Sequence, residues 1–228
     1  MNILVTNDDG WGFAGIEALT AVAREHGSVW VVAPAQPMSG ISHQLTFEQP
    51  MTLLEKGERS FSLTGTPADC VRVAMVQLGV SFDWVLSGIN NGANLGADIF
   101  ISGTVAAARE ATFFGARAVA ISQYLQGFRQ DFEWQRSVEL TARILPSLMD
   151  SDIESGQYYN VNLPDTHGGP VDEIELVHTQ ADRLPLPAEY RALDNDQIIY
   201  CGSYKHRERT PGKDIDACFN GKASITLQ

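Results

Sequence analysis

Two adjacent carboxylates, Asp8 and Asp9, follow directly after an apolar segment, residues 2–6. That segment predicts a first β-strand, and ligands of open α/β sheets collect at the carboxyl ends of the strands. Neighbouring carboxylates in a cleft repel each other, and burial raises the free-energy cost of keeping both charged. A bound cation removes this cost, so the pair predicts a hard-metal site. The alternative is an Asx turn that caps the next helix, because Asn and Asp are common turn residues.

Three glycines in the same stretch, Gly10, Gly12 and Gly15, match the G-x-G-x-x-G fingerprint of dinucleotide-binding folds. That fingerprint places a pyrophosphate on a helix N-terminus, where the carboxylate pair would repel it unless a metal intervened. It also requires an acidic residue after the second strand, and none follows the predicted strand at residues 29–33. The sequence therefore argues against a nicotinamide or flavin cofactor.

Two further polar residues follow predicted strands. Ser39 lies after the second strand, and its hydroxyl is either a metal ligand, a phosphate donor or an ordinary turn residue. Asn90 lies just past the predicted strand 83–87, in a loop of small and amide residues over 88–94. An Asn side-chain carbonyl is an acceptable ligand for a hard cation, although any tight loop can contain Asn.

The triplet Ser102, Gly103 and Thr104 precedes a predicted helix at about 103–114. Hydroxyls and free backbone N–H groups at a helix start form an anion site, and a plain N-cap by Ser102 is the alternative. Carboxylates, a hydroxyl, an amide and an anion-binding helix start thus follow successive strands. This combination suits a divalent cation that bridges protein and phosphate. Mg²⁺ or Mn²⁺ is favoured over Zn²⁺, because Cys ligands and paired His ligands are missing.

Alternating strands and helices up to about residue 125 predict an α/β fold with a doubly wound, mostly parallel sheet. We expect a single domain of 1–228, with a core at about 1–125 and a strand-rich lobe or oligomerisation arm at about 126–228. The predicted helices lie at 15–26, 67–78, 103–114 and 131–149, the last disturbed near Pro146. Short strands or a hairpin protruding from the sheet are expected over 44–64. Later strands are expected near 118–121, 158–162, 173–178, 198–202 and 222–227.

Charge and composition limit the classes of molecule that this protein is expected to bind. The 228 residues carry a formal net charge of −12, which argues against a nucleic-acid duplex as ligand. No signal peptide, transmembrane stretch or basic run for an anionic membrane is evident. The three cysteines lack zinc-type spacing and fit reduced thiols. We therefore expect a cytoplasmic protein with no membrane partner.

Several ordered motifs closely resemble those of the SurE family, the survival-protein E nucleotidases. They are ILVTNDDG at 3–10, SG at 39–40, TGTPADCV at 64–71, SGINNGAN at 87–94 and SGTVA at 102–106. The resemblance implies a Rossmann-like sheet and one divalent metal ion, Mg²⁺ or Mn²⁺, per subunit. By match of motif, the implied ligands are Asp8, Asp9, Ser39 and Asn90. The resemblance also implies a homodimer or homotetramer that exchanges carboxyl-terminal segments.

Two departures from the family pattern concern the site and the assembly. Ile101 stands where the family usually has Tyr or His, next to the predicted phosphate-binding triplet. Leu227 replaces the Pro of the family's final Ser-Ile-Thr-Pro strand, and the terminal helix of most members is missing from this chain. The first change bears on contacts near the leaving group, and the second bears on the type of oligomer.

The resemblance implies a 5′-nucleotidase, a phosphoric monoester hydrolase that splits nucleoside 5′-monophosphates into nucleoside and phosphate. Whether it also acts on 3′-monophosphates stays open. Two alternatives stay open. One is a catalytically inactive nucleotide-binding relative, which the Ile101 change and the short tail motivate. The other is a phosphatase for other small phosphoesters or short polyphosphate.

The expected mechanism assigns a role to each polar residue. The metal would neutralise phosphate oxygens and acidify a water molecule, and Asp8 or Asp9 would accept the water's proton. Ser102 and Thr104 would orient the phosphoryl group, and Asn94 would stabilise the transferred oxygens. Direct attack by Asp8 as a nucleophile is the alternative to water.

Overall fold

The computed structural model describes residues 1–126, 132, 134–165 and 168–228. The strands are β1 Asn2–Thr6, β2 Ser28–Pro34, β3 Leu53–Gly57, β4 Ser60–Leu63, β5 Trp84–Asn91, β6 Arg117–Gln123, β7 Tyr159–Leu163, β8 Leu176–Thr179, β9 Tyr190–Ala192, β10 Ile198–Tyr200 and β11 Ala223–Leu227. The helices are α1 Ala14–Arg24, α2 Pro67–Gln77, α3 Gly103–Phe113, α4 Gln135–Met149 and α5 Asp214–Phe219.

Within the described ranges, nine strands form one sheet in the order β3-β4-β2-β1-β5-β6-β7-β11-β8. The central strands β2, β1, β5, β6 and β7 pair in parallel, while β3 and β11 run antiparallel to β4 and β7. Apolar side chains on one face of this sheet pack with α1 and α4, and those on the other face pack with α2 and α3. The predicted α/β fold with a mostly parallel, doubly wound sheet is confirmed.

Local sequence signals place most helices within two residues of their predicted ends. α2 begins with a capping box, in which Thr66 accepts from the backbone N–H of Asp69 and the Asp69 carboxylate accepts from the N–H of Thr66. Pro67 occupies the first turn of α2, where backbone N–H groups have no partner within the helix, so the missing N–H of proline costs no hydrogen bond. α4 continues through Pro146 to Met149, and the predicted start of this helix at residue 131 lies outside the described residues.

The stretch 44–64 differs from its prediction. β3 and β4 form the expected hairpin, but β4 pairs in parallel with β2, so the hairpin extends the main sheet and does not protrude from it. Residues 44–47 form no strand, because the backbone N–H of Thr46 donates to Asp69 at the start of α2. This segment is instead bonded to Thr66 and Asp69 at the start of α2, and it leaves Phe47 exposed.

Strands beyond residue 125 divide into two groups. β7, β11 and β8 continue the main sheet, since alternate residues of β7 belong to the large apolar core. β9 and β10 form a separate antiparallel two-stranded ribbon, called here the ribbon, with exposed apolar side chains. Among the helices of the described ranges, none has the length and apolar character needed to cross a membrane.

Candidate active site

The loop after β1 begins with a tight turn at Asn7. The side-chain amide of Asn7 donates to the carbonyl of Gly10 at 3.0 Å, and its Oδ1 accepts from the N–H of Gly10 at 3.2 Å. Gly10 has φ +104°, a backbone conformation that favours glycine. The Asx turn is therefore present, but Asn7 makes it. Asp8 and Asp9 between these ends are free to serve another purpose.

Asp8 lies against the first turn of α3. Its side chain is 4% exposed, and its Oδ1 accepts a 2.5 Å hydrogen bond from the hydroxyl of Thr104. A Cβ built at Gly103 would lie 2.9 Å from the Cβ of Asp8, so only glycine allows this approach. Burial, followed by the charge of Asp9, raises the pKa of Asp8 to about 6, and the bonds from Thr104 oppose that rise.

Asp9 is held from the neighbouring strand. Its Oδ2 accepts from the backbone N–H of Asn91 at 3.1 Å, and burial raises the pKa of its carboxyl. In the described part of the chain, no Lys, Arg or His forms an ion pair with Asp8 or Asp9. Two buried carboxylates thus share one loop without a protein cation to offset their charge.

The segment that carries Ser39 passes close to this pair. The N–H of Met38 donates to the backbone carbonyl of Asp8 at 2.7 Å. Ser42 then fixes the far end of the segment, since its N–H and hydroxyl donate to the carbonyls of Ile101 and Phe100. Ser39 itself is exposed between these two anchors. The fold therefore brings the Ser39 segment, the aspartate loop and the start of α3 together.

Asn90 belongs to β5 and not to a loop. β5 was predicted to end at Ser87 but continues to Asn91, with a shift of register against β6 between Ser87 and Asn90. The side-chain amide of Asn90 donates to the carbonyl of Gly92 at 2.7 Å, which leaves its Oδ1 as the atom suited to a cation. The sequence did not predict the last four residues of β5, because small and amide residues are poor strand formers.

Ser102 is the N-cap of α3. Its Oγ accepts from the N–H of Val105 at 3.1 Å, so Ser102 caps the helix, while its role at an anion site stays a prediction. A hydroxyl that accepts in this way keeps its own hydrogen for donation. Thr104 is fully buried and its hydroxyl hydrogen is directed to Asp8. In this structure Thr104 therefore orients a carboxylate, and Ser102 retains a donor for an anion.

Asn94 is hydrogen-bonded to residues of β6 and β7 that were not predicted to belong to the site. Its side-chain amide donates to the hydroxyl of Ser122 at 2.8 Å. Its backbone N–H donates to Asn162 Oδ1, and its carbonyl accepts from the amides of Asn160 and Asn162. The register of β6 with β7 brings these residues together, and no local sequence motif predicts this contact.

The connector that runs from Asn94 to Ser102 is clamped from the carboxyl-terminal side. Asp98 accepts from Arg207 at 2.8 Å and from the Tyr204 hydroxyl at 2.7 Å. The N–H of Gly96 donates to Asp214 at 2.7 Å. Residues far along the sequence thus fix the path between two predicted site residues.

The donors gathered here fit a hard divalent cation. The described ranges contain no group of three or more His, Cys, Asp or Glu side chains arranged to hold a metal. The resemblance assigns the other ligands to Asn90 and Ser39, whose side-chain oxygens, together with water, could complete the coordination of a Mg²⁺ ion at Asp8 and Asp9. The buried carboxylate pair carries uncompensated negative charge, which favours the binding of a cation there.

Comparison with known proteins identifies the family. The family model described as survival protein SurE matches residues 3–184. A 5′-nucleotidase SurE of Methylorubrum extorquens is 36% identical over 234 residues, which cover 99% of this chain and 92% of that protein. A Nostoc sp. protein provisionally named a 5′-nucleotidase is 44% identical over 226 residues, which cover 99% of this chain and 98% of that protein. The crystal structure of the SurE protein from Aquifex aeolicus superposes with a TM-score of 0.85 and 31% identity, covering 100% of this chain and 93% of that chain. The chain belongs to the SurE family.

Proposed function

We propose that this chain is a divalent-metal-dependent phosphatase that hydrolyses nucleoside monophosphates to nucleoside and phosphate. The observation that carries the proposal is the buried pair Asp8 and Asp9. Asp8 contacts the start of α3, and neither carboxylate has a cationic partner among the described residues. The relatives named 5′-nucleotidase SurE support the substrate class. Nucleoside 5′-monophosphates are the expected substrates, and 3′-monophosphates are a second class to test.

Each residue has a defined part in this reaction. Asp8, Asp9, Ser39 and Asn90 would hold the metal, Mg²⁺ or Mn²⁺, which supplies charge neutralisation for the phosphate oxygens and a more acidic water when bound. Ser102 would donate its free hydroxyl hydrogen to a phosphate oxygen, and the N-terminus of α3 would attract the same group.

The two aspartates determine which group accepts the proton of the attacking water and whether water or a carboxylate attacks the phosphorus. Asp8 and Asp9 each have one oxygen that already accepts a hydrogen bond, from Thr104 and from the Asn91 N–H, so the second oxygen of either one would accept the proton of an attacking water. Attack by Asp8 itself would break the ester bond, release the nucleoside and form an aspartyl phosphate, which water would then hydrolyse to free phosphate. A rapid-quench trap separates the two routes, since only the second leaves phosphate bound to the protein.

Phosphate release from a panel of nucleoside 5′- and 3′-monophosphates, with Mn²⁺, Mg²⁺ or EDTA, tests the proposal. We expect release that depends on metal and stops in EDTA. Asp8→Asn or Asp9→Asn should lower kcat/KM by on the order of 10³-fold, because the metal supplies several kcal/mol of transition-state stabilisation. Asp152→Asn, at an exposed loop position, is the matched control and should keep wild-type activity.

The main alternative is an inactive nucleotide-binding relative. Ile101 motivates it, because this exposed apolar side chain adjoins Ser102 and has no hydrogen-bonding group for a leaving oxygen. Folded protein that binds nucleotide in saturating Mn²⁺ but releases no phosphate would favour this alternative. Release from short polyphosphate in preference to nucleotides would favour a broader phosphatase.

We also propose that the protein acts as a homo-oligomer, a dimer or a tetramer. The ribbon supports this, because it presents Tyr190, Ile198, Ile199 and Tyr200 to solvent. An exposed apolar group of this kind is typical of an association surface. Light scattering coupled to size-exclusion chromatography measures the mass, and a monomer at micromolar concentration would contradict the proposal.

A further inference from the structure

β7 contains two asparagines that are costly where they lie. Asn160 and Asn162 are 0% exposed in a strand within the sheet, at positions where apolar residues are usual. Strand alternation places both on one face, opposite Tyr159, Val161 and Leu163, which belong to the apolar core. Burying an amide is costly unless it is hydrogen-bonded. Asn162 bonds through both ends of its amide and Asn160 through its Nδ2, while Asn160 Oδ1 has no partner among the described residues.

Those bonds converge on one residue, Asn94. Asn162 uses both ends of its amide, since its Oδ1 accepts from Asn94 N at 2.8 Å and its Nδ2 donates to Asn94 O at 3.1 Å. Asn160 Nδ2 donates to the same carbonyl at 2.9 Å. The side chains of Asn160 and Asn162 thus satisfy the backbone N–H and C=O of Asn94, as the backbone of a neighbouring strand would.

The side chain of Asn94 is oriented by the same network. One amide hydrogen donates to the hydroxyl of Ser122, the residue of β6 that is in register with Asn162. In the described part of the chain, no donor reaches Asn94 Oδ1. Asn94 is buried, yet this oxygen and the second amide hydrogen are left for a group outside the network.

We propose that Asn160 and Asn162 are positioning residues, which fix the backbone of Asn94 so that its side chain meets the transferring phosphoryl group. The inference rests on the proposed function. The two asparagines touch no substrate, and their effect on the reaction passes through Asn94. A preorganised donor of this kind lowers the barrier because no reorganisation is needed during the reaction.

A double-mutant cycle tests the inference. Asn94→Ala should lower kcat by about 10²-fold, as loss of one preorganised donor does. Asn162→Ala should lower kcat by about tenfold with little change in KM, because binding by the metal and α3 is untouched. In the Asn94→Ala background, Asn162→Ala should have no further effect on kcat. Should Asn162→Ala fail to fold, Asn160→Ala removes a single bond and carries the same test.

A matched control is available on the next strand. Ser224 is in register with Asn162 on β11, is equally buried and makes no bond to Asn94. Ser224→Ala should therefore leave kcat unchanged. Hydrogen exchange supplies a readout without activity, since Asn162→Ala should speed exchange of the Asn94 amide and Ser224→Ala should not.

The outcomes separate the inference from the proposed function. No phosphate release by the wild type would overturn the proposed function, whatever the variants do. An active wild type in which Asn162→Ala lowers kcat by the same factor with and without Asn94 would overturn the inference, because the asparagine would then act by another route. An unchanged kcat in folded Asn162→Ala would overturn it as well.

Discussion

Two of the regions that bury carboxylates in this molecule, the aspartate loop and the connector, differ in how the charge is compensated. In the aspartate loop, Asp8 and Asp9 are both less than a tenth exposed and have no cationic partner among the described residues. At the connector, Asp98 is buried to a similar degree, but Arg207 and Tyr204 donate to it. One region is left with excess negative charge and the other is neutralised within the chain.

This difference in charge compensation distinguishes the role of Asp98 from that of Asp8 and Asp9. Removing a charge from water costs several kcal/mol unless a partner compensates it. Asp98 has that partner, and its bonds tie the connector to the carboxyl-terminal segment. The aspartate pair lacks one, so the folded chain retains an unfavourable charge that a bound divalent cation would offset. The first arrangement is structural, and the second is the one that the proposed metal site requires.

Removal of the compensated carboxylate should give the largest change in stability. Asp98→Ala leaves the guanidinium of Arg207 buried without a counter-charge, since that side chain is 1% exposed. We expect the free energy of unfolding to fall by about 3–5 kcal/mol, measured by urea denaturation of the metal-free protein. Glu175→Ala is the control, because its ion pair with Lys222 is exposed, and it should change stability by less than about 1 kcal/mol. Equal effects of the two substitutions would remove the distinction between buried and surface pairs.

Neutralisation of an uncompensated carboxylate should act in the opposite direction. Asp8→Asn keeps an oxygen that accepts from Thr104 but removes one of two buried like charges. In EDTA near pH 8, we expect this variant to be more stable than the wild type by on the order of 2–3 kcal/mol, because a pKa raised to about 6 marks a penalty on the charged form. Urea denaturation provides the measurement. A variant less stable than the wild type in EDTA would mean that the carboxylate is satisfied without a metal.

The same two regions show how far sequence reasoning reaches. Asp8 and Asp9 were predicted as site residues because strand, turn and carboxylates lie within eight residues. The partnership of Asp98 with Arg207 spans 109 positions, and it depends on how the segment after the ribbon returns to the sheet. Local patterns such as caps and apolar periods contain no such information.

Errors in the predicted elements have the same physical origin. The predicted strand 83–87 is too short, because Gly and Asn oppose a strand locally while pairing with β6 extends β5 to Asn91. β4 was assigned to a protruding hairpin, because its pairing with β2 is a tertiary contact. The central strands were placed well, since strands buried on both faces are apolar throughout. Sequence thus specified the elements and left their distant partners open.

The smallest predicted effect is the pH dependence of the aspartate loop, and it sharpens the comparison most directly. Burial raises the pKa of Asp8 to about 6 in the folded protein, above the ordinary value of 3.8. Between these values the folded state holds a proton that the unfolded state releases, so stability from Asp8 is fully present below pH 4 and is lost as the pH rises through 6. The advantage of Asp8→Asn over the wild type in EDTA should therefore shrink from pH 8 to pH 5 and be nearly absent at pH 4. Thermal unfolding of both proteins across this range measures the difference in Tm, in which pH effects common to the two chains cancel. A difference that is constant with pH would show that Asp8 carries no penalty from burial, and the contrast with Asp98 would then fail.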